Sequence, residues 1–365
     1  MTIPVVTSTA DGVARPREMS LQRWIWRSYV RNALIPLLVI ELLLVAVFLT
    51  SHAWSLRQNV AALREVATQA ISRITNDEAA IIREQLGRVA AATEVLRRQA
   101  TLALATPANS GRERERMRRQ PSGALTTAQD DGGAAVFYSA ATPIGPAQYE
   151  RLARFAAIDP LLRDITESNP LVAQTYINTR DSMTRIWPWI DAAVQFDRNL
   201  DVTRFNFYYE ADAARNPSRS IVWTDAYVDP AGKGWLVSAI APVYRGDVLE
   251  AVVGADVTIA RMVAAVLDKE ILRQGFVILI GKDGTLLALL PRAEQLFDLR
   301  ELTTHHCYDV IRADTFKPAE FNVFRRADFA AIANLVETES EGGGRLDGPK
   351  PHLVGWQTIP SIGWK

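Results

Sequence analysis

One cysteine, Cys307, and four histidines stand in a chain of 365 residues. A lone cysteine excludes an intrachain disulfide framework and any paired-cysteine zinc site. Four histidines, two of them adjacent at His305 and His306, leave little material for a metal centre. Neither charge is in excess: 41 basic residues face 41 acidic ones. That balance argues against a nucleic-acid partner, which calls for a basic domain or stripe. Catalytic signatures are missing too. There is no Walker loop, no GxSxG and no HExxH, and Gly232-x-Gly234 precedes a strand pattern and not a helix. No histidine falls in the segment 106–272, so imidazole acid–base chemistry has no candidate there. No cofactor, metal or catalytic residue is expected, and the chain reads as non-enzymatic.

Apolar residues make up 48% of the chain and are unevenly placed. From Leu34 to Thr50 the sequence is LIPLLVIELLLVAVFLT, followed by Ser51, His52, Ala53 and Trp54. As a helix, 34–54 covers about 30 Å, one hydrocarbon thickness. Arg15, Arg17, Arg23, Arg27 and Arg31 precede it against Asp11 and Glu18 alone, which predicts a cytoplasmic N-terminus and an extracytoplasmic remainder. Trp24, Trp26 and Trp54 suit the two interfacial belts. A cleaved leader is the competing reading, but the basic segment and the apolar run are both long for one. Glu41 lies mid-run, where it serves a helix–helix contact or is carried protonated. Pro36 lies near the entry, where a helix tolerates it.

Residues 55–105 contain no proline and only Gly87. Val60, Leu63, Ala67, Ala70, Ile74, Ile81, Leu86, Val89 and Leu96 recur mostly at spacings of three, four and seven, the mark of an amphipathic helix. About 50 residues reach roughly 75 Å, which suits a stalk packed on a partner and predicts a homodimer. A break into two helices near Thr75-Asn76-Asp77 is the alternative. Residues 106–146 read as the loosest stretch, with RERERMRR as a solvated segment. From Tyr149 the pattern turns α/β. A helix is expected over 149–168, then strands over Leu171–Asn178, Asn206–Tyr209, Ile221–Tyr227, Trp235–Tyr244 and Val248–Val257. Thr258 is placed to cap a helix over 259–273. A second set of strands follows, Phe276–Ile280 and Thr285–Leu290 around Gly281-Lys282-Asp283-Gly284, then His352–Thr358 after a mobile-looking Gly342-Gly343-Gly344. The chain stops at Ile362-Gly363-Trp364-Lys365, which reads as the opening of a further strand and hence of a longer protein.

The segment Trp223–Thr258, WTDAYVDPAGKGWLVSAIAPVYRGDVLEAVVGADVT, resembles the membrane-distal module of a double Cache extracytoplasmic sensor domain. Such domains occur in histidine kinases, chemoreceptors and cyclic-dinucleotide enzymes. The resemblance implies an α+β fold: a membrane helix and long stalk helix, then two PAS-like modules with antiparallel sheets. The boundaries are 1–33 for the basic tail, 34–54 for the membrane helix, 55–105 for the stalk, 106–272 for the distal module and 273–365 for the proximal one. It also implies a small-molecule sensor role, with the output, a histidine kinase for preference, lying beyond this chain. An anchored scaffold or enzyme using the fold without signalling is the rival reading.

The family's amino-acid pattern has an Arg-x-Trp-Tyr step, then Tyr, Asp and a final Asp. Here Tyr227, Asp229 and Asp256 match, and the Trp-Tyr step becomes Phe207-Tyr208. Phe205 stands where the carboxylate-binding arginine is expected, with Arg204 one place off. The candidate ligand-binding residues are Phe207, Tyr208, Trp223, Asp225, Tyr227, Asp229 and Asp256. An aromatic, acidic constellation without that arginine suits an amine better than an amino-acid carboxylate. The bland readings are core packing for Tyr227 and Trp223, a turn for Asp229 and a helix cap for Asp256. Trp187, Trp189 and Asp191 read as packing residues near the pocket's edge.

Overall fold

A computed structural model describes residues 20–264, 275–302, 311–346 and 351–365. Cys307, His305, His306, Arg15, Arg17 and most of the helix expected over 259–273 lie outside these residues. The chain divides into two units, one ending at Ala67 and the other running from Thr68 to Lys365.

In the first unit a helix spans Leu21–Tyr29 and passes through a π-helical stretch, Val30–Leu34, into a helix that runs Ile35–Ala105. Pro36 explains the π-helical stretch. It has no N–H for the carbonyl four residues back, and widening the preceding turn accommodates that loss. The apolar run from Ile35 is exposed along its whole length, and it belongs to one helix long and apolar enough to cross a membrane. No break occurs at Thr75-Asn76-Asp77.

In the second unit the same helix buries Ile82, Leu86, Val89, Thr93, Leu96, Ala100 and Ala103. Their alternating steps of four and three define one face. That face packs on a nine-stranded antiparallel sheet. Its strands are β1 (Met117–Arg119), β2 (Leu125–Thr127), β3 (Ala135–Tyr138), β4 (Val172–Thr179), β5 (Met183–Trp187), β6 (Val222–Trp223), β7 (Tyr227–Val228), β8 (Trp235–Arg245) and β9 (Val248–Thr258). The order is β1-β2-β3-β5-β4-β9-β8-β6, with β7 also on β8. The fold is α+β with antiparallel sheets, as expected.

Several local readings need correction. Residues 117–138, read as loose, supply three strands at one side of the sheet. The helix expected over 149–168 is two, Pro146–Ala156 and Asp159–Ser168. Pro160 is the reason, because it is tolerated in a first turn and not in a helix interior. Asn206–Tyr209 is one helical turn and not a strand.

Both faces of this sheet are covered, so β4 is buried at every position. One core holds the long helix, Leu152, Phe155 and Leu162 against Val237, Ala239, Val253 and Ala255. The other gathers Phe137, Tyr176, Phe207, Tyr227, Ile240 and Val252.

Beyond Ile278 the sheets are small. β10 (Ile278–Ile280) and β11 (Leu286–Leu289) pair across Gly284 at φ 88°, the positive φ that the Asp-Gly step predicts. Lys365 exchanges both backbone hydrogen bonds with Ile280, but residues 361–363 form a turn and not the opening of a strand that the last residues suggest. β12 (Glu341–Leu346) and β13 (His352–Gln357) form a second hairpin. Gly342-Gly343-Gly344, read as mobile, is therefore strand. Gly343 and Gly355 pair across it, and a Cβ on either would meet Thr68, Ser72, Ile71 or Thr75 of the long helix at 2.4–2.9 Å. Their bare backbones let hairpin and helix approach closely.

Candidate functional site

Three adjacent strands place polar residues in one row on the second sheet face. Asp256 of β9 stands opposite Gln174 of β4 on one side and Ser238 of β8 on the other. They sit among apolar residues such as Leu236, Ile240 and Val252. Gln174, Ser238, Asp229 and Asp256 are at most 3% exposed. Ser238 Oγ donates to Asp256 Oδ1 at 2.6 Å. The Gln174 amide nitrogen donates to Asp256 Oδ2 at 2.6 Å and to Asp229 Oδ2 at 2.9 Å.

Asp229 reaches the row from the turn Asp229–Gly234. Its carboxylate accepts from Ala231 N at 2.9 Å and Lys233 N at 3.0 Å, and positive φ at Gly232 and Gly234 lets the backbone fold around it. The turn reading and the cavity position therefore coincide in one residue. Asp256 does not cap the following helix. Thr258 does, accepting from Arg261 N, as its position predicts.

Gln174 and Asp256, with Asp229, form part of the wall of a cavity of about 30 Å³, room for a water molecule or the head of a small ligand. Gln174, Tyr176, Asn178, Phe207, Asp229 and Asp256 are among its lining residues. Phe207 stacks on Phe205 with centroids 5.0 Å apart and lies 5.5 Å from the Tyr227 ring and 5.9 Å from that of Tyr176. Tyr176 can lie across β9 because its cross-strand partner is Gly254, whose Cβ would sit 2.2 Å from the ring.

The electrostatics follow from burial, which the charge of Lys233 opposes at Asp229. Burial, then the Asp229 charge, pushes the Asp256 carboxyl well above the ordinary range. Asp229 is also raised by burial, against the opposing pull of its backbone N–H donors. Burial and then Asp256 raise the Tyr176 and Tyr227 phenols, which stay protonated. Tyr227 Oη and Ser238 Oγ are 2.8 Å apart. Among the described residues no basic side chain lines the cavity, and Arg204 is exposed. One polar atom of these lining residues, Gln174 Oε1, is buried without a hydrogen-bond partner.

Of the seven candidate residues, Phe207, Tyr227, Asp229 and Asp256 meet at the cavity. Tyr208 is buried beside it without lining it. Trp223 lies in the opposite core, its ring 5.5 Å from that of Trp364. Asp225 is placed toward Lys282 and Asp283, and burial raises its carboxyl. Trp187 packs under the Arg163 guanidinium and Asp191 caps Ala193, both away from the cavity. Gln174, Tyr176 and Ser238 escaped the sequence reading. Their signal was a polar residue inside an apolar strand, which points to no partner until the register is known.

The segment Ile311–Lys317 runs behind the cavity wall. Asp314 accepts from the N–H of Asn206, which neighbours Phe207, and Thr315 O accepts from Val228 N. Lys317 then enters the smaller sheet region, donating to Leu286 O, Leu287 O and Glu301 Oε1.

No known family's profile and no curated protein matches this chain. The structural neighbours are ligand-binding domains of chemoreceptors. One is that of CtaA from Pseudomonas fluorescens in complex with L-isoleucine, at 14% identity over 83% of this chain and 92% of that one, TM-score 0.47. Another is that of PctB from Pseudomonas aeruginosa PAO1 in complex with L-Gln, at 14% identity over 80% and 86%, TM-score 0.43. The sensory domain of Tlp3 from Campylobacter jejuni, with isoleucine bound, is 11% identical over 83% and 92%, TM-score 0.47.

Proposed function

We propose that this chain is the extracytoplasmic sensing region of a membrane receptor of the double Cache type, and that its ligand is a small cationic amine. The observation that carries the reading is the cavity with two buried aspartates, no basic lining residue among those described and an unpartnered acceptor, Gln174 Oε1. Buried polar groups are normally satisfied, and buried carboxylates with no cationic side chain bonded to them favour a cation. An α-amino acid would bring a carboxylate for which the cavity offers no guanidinium.

In this reading the helix starting at Ile35 anchors the protein with its N-terminus in the cytoplasm, the stalk pairs with that of a second copy, and the chain itself has no catalytic role. Ligand binding biases one arrangement of the domain over another. The segment Ile311–Lys317 and the glycine hairpin on the long helix are the contacts through which the cavity state would reach the stalk. The output is a histidine kinase or related module.

The test is a thermal-shift series on the full chain in detergent or nanodiscs. Amines at a hundred times Kd stabilise it by about 2.7 kcal/mol. Stabilisation by uncharged or carboxylate-only compounds, with none by amines, overturns the reading.

A further inference from the structure

Gln174 is buried on a sheet face whose neighbours are largely aromatic and aliphatic. Its amide nitrogen is committed, bonding Asp229 Oδ2 at 2.9 Å and Asp256 Oδ2 at 2.6 Å. Those two bonds also orient the amide, because only the NH2 end can face two carboxylates. The other end, Oε1, is buried and accepts nothing. Gln174 lines the cavity. A buried acceptor without a donor is unfavourable, and a ligand carrying N–H groups removes the deficit. Lys233 does not do so, since the bond it makes to the site is from its backbone N–H to Asp229.

We propose that Gln174 is a specificity-determining residue: its NH2 group holds the two carboxylates together while its Oε1 accepts an N–H of a bound primary ammonium. The proposal rests on the amine reading and adds a discriminating residue to it. A primary ammonium has three N–H groups to share among Asp229, Asp256 and Gln174 Oε1. A tertiary ammonium has the same charge and one N–H. A site with this set of acceptors therefore distinguishes amines by donor number as well as by charge, because an analogue lacking a donor leaves a buried acceptor unpaired.

Two isomers separate donor number from size and charge. Propylamine and trimethylamine share one formula, are both cationic at neutral pH, and carry three and one N–H groups when protonated. Calorimetric titration of the full chain should show propylamine bound about tenfold or more tighter than trimethylamine. In Gln174→Met, which keeps length and removes both amide functions, that preference should collapse by about tenfold. An equal loss for both isomers, with the preference intact, makes Gln174 a spacer of carboxylates and overturns the proposal. Equal binding of the two by the wild-type chain overturns it too, while the amine reading stands. Binding of neither overturns both. Should Gln174→Met not fold, Gln174→Asn retracts the amide by one methylene and must lower the same preference. An unchanged preference there is also decisive against the proposal.

Discussion

Arg185 of β5 and Asp256 of β9 are buried on opposite faces of one sheet, and their surroundings differ in a single respect. The Arg185 guanidinium donates to both oxygens of Asp159 and, at 2.9 Å, to Glu113 Oε2. Arg116 adds bonds to Glu113 and Asp131. Two cations and three carboxylates thus satisfy each other within the chain. Asp256 and Asp229 have no cationic side chain bonded to them, only Gln174, Ser238 and backbone N–H groups. A buried charge paired internally ties elements of the fold together. A buried acid left unpaired keeps capacity for something from outside. Both clusters bury carboxylates, and the presence or absence of bonded arginines separates them.

Breaking the first cluster should have the largest effect. Arg185→Met strands Asp159 and Glu113 with one cation fewer and should cost about 3–5 kcal/mol in urea unfolding. A loss below about 1 kcal/mol, typical of an exposed pair, would dissolve the contrast.

Asp256→Asn sharpens it from the other side. The variant should lose the amine-dependent thermal shift without losing unliganded stability at neutral pH. Its pH dependence has a definite sign. The native carboxyl is raised by burial and by Asp229, so the folded state holds a proton that the unfolded chain releases above about pH 4. Wild-type stability at this site therefore falls as pH rises from about 4 through the folded value, and Asp256→Asn removes that slope. Amine affinity should rise over the same interval, because an ammonium pairs with the ionised form. Identical slopes for both chains would mean that Asp256 is ionised in the cavity.

Asp229→Asn should have the smallest effect. One side-chain oxygen remains to hold the turn, so the cost is about 1 kcal/mol for a lost bond to Ala231 N or Lys233 N. Binding should weaken less than in Asp256→Asn. A greater loss than in that variant would make Asp229 the principal anion of the site.

Read alone, the sequence determined whatever depends on local periodicity and turn chemistry. The apolar helix, the amphipathic helix after it, β4, β8 and β9, the Thr258 cap and the Asp283-Gly284 hairpin all follow from residues within a few positions of each other. Tertiary structure decided the rest. Asn206–Tyr209 is a helical turn bonded at its first N–H by Asp314, 108 residues away. Gly342-Gly343-Gly344 is strand because β13 pairs with it and the long helix lies on its bare backbone. The Gln174–Asp256–Ser238 row exists only in the register of three strands. A polar side chain in a buried strand carries no mark of its partner in the sequence, since hydrogen bonds across a sheet depend on alignment and not on proximity along the chain.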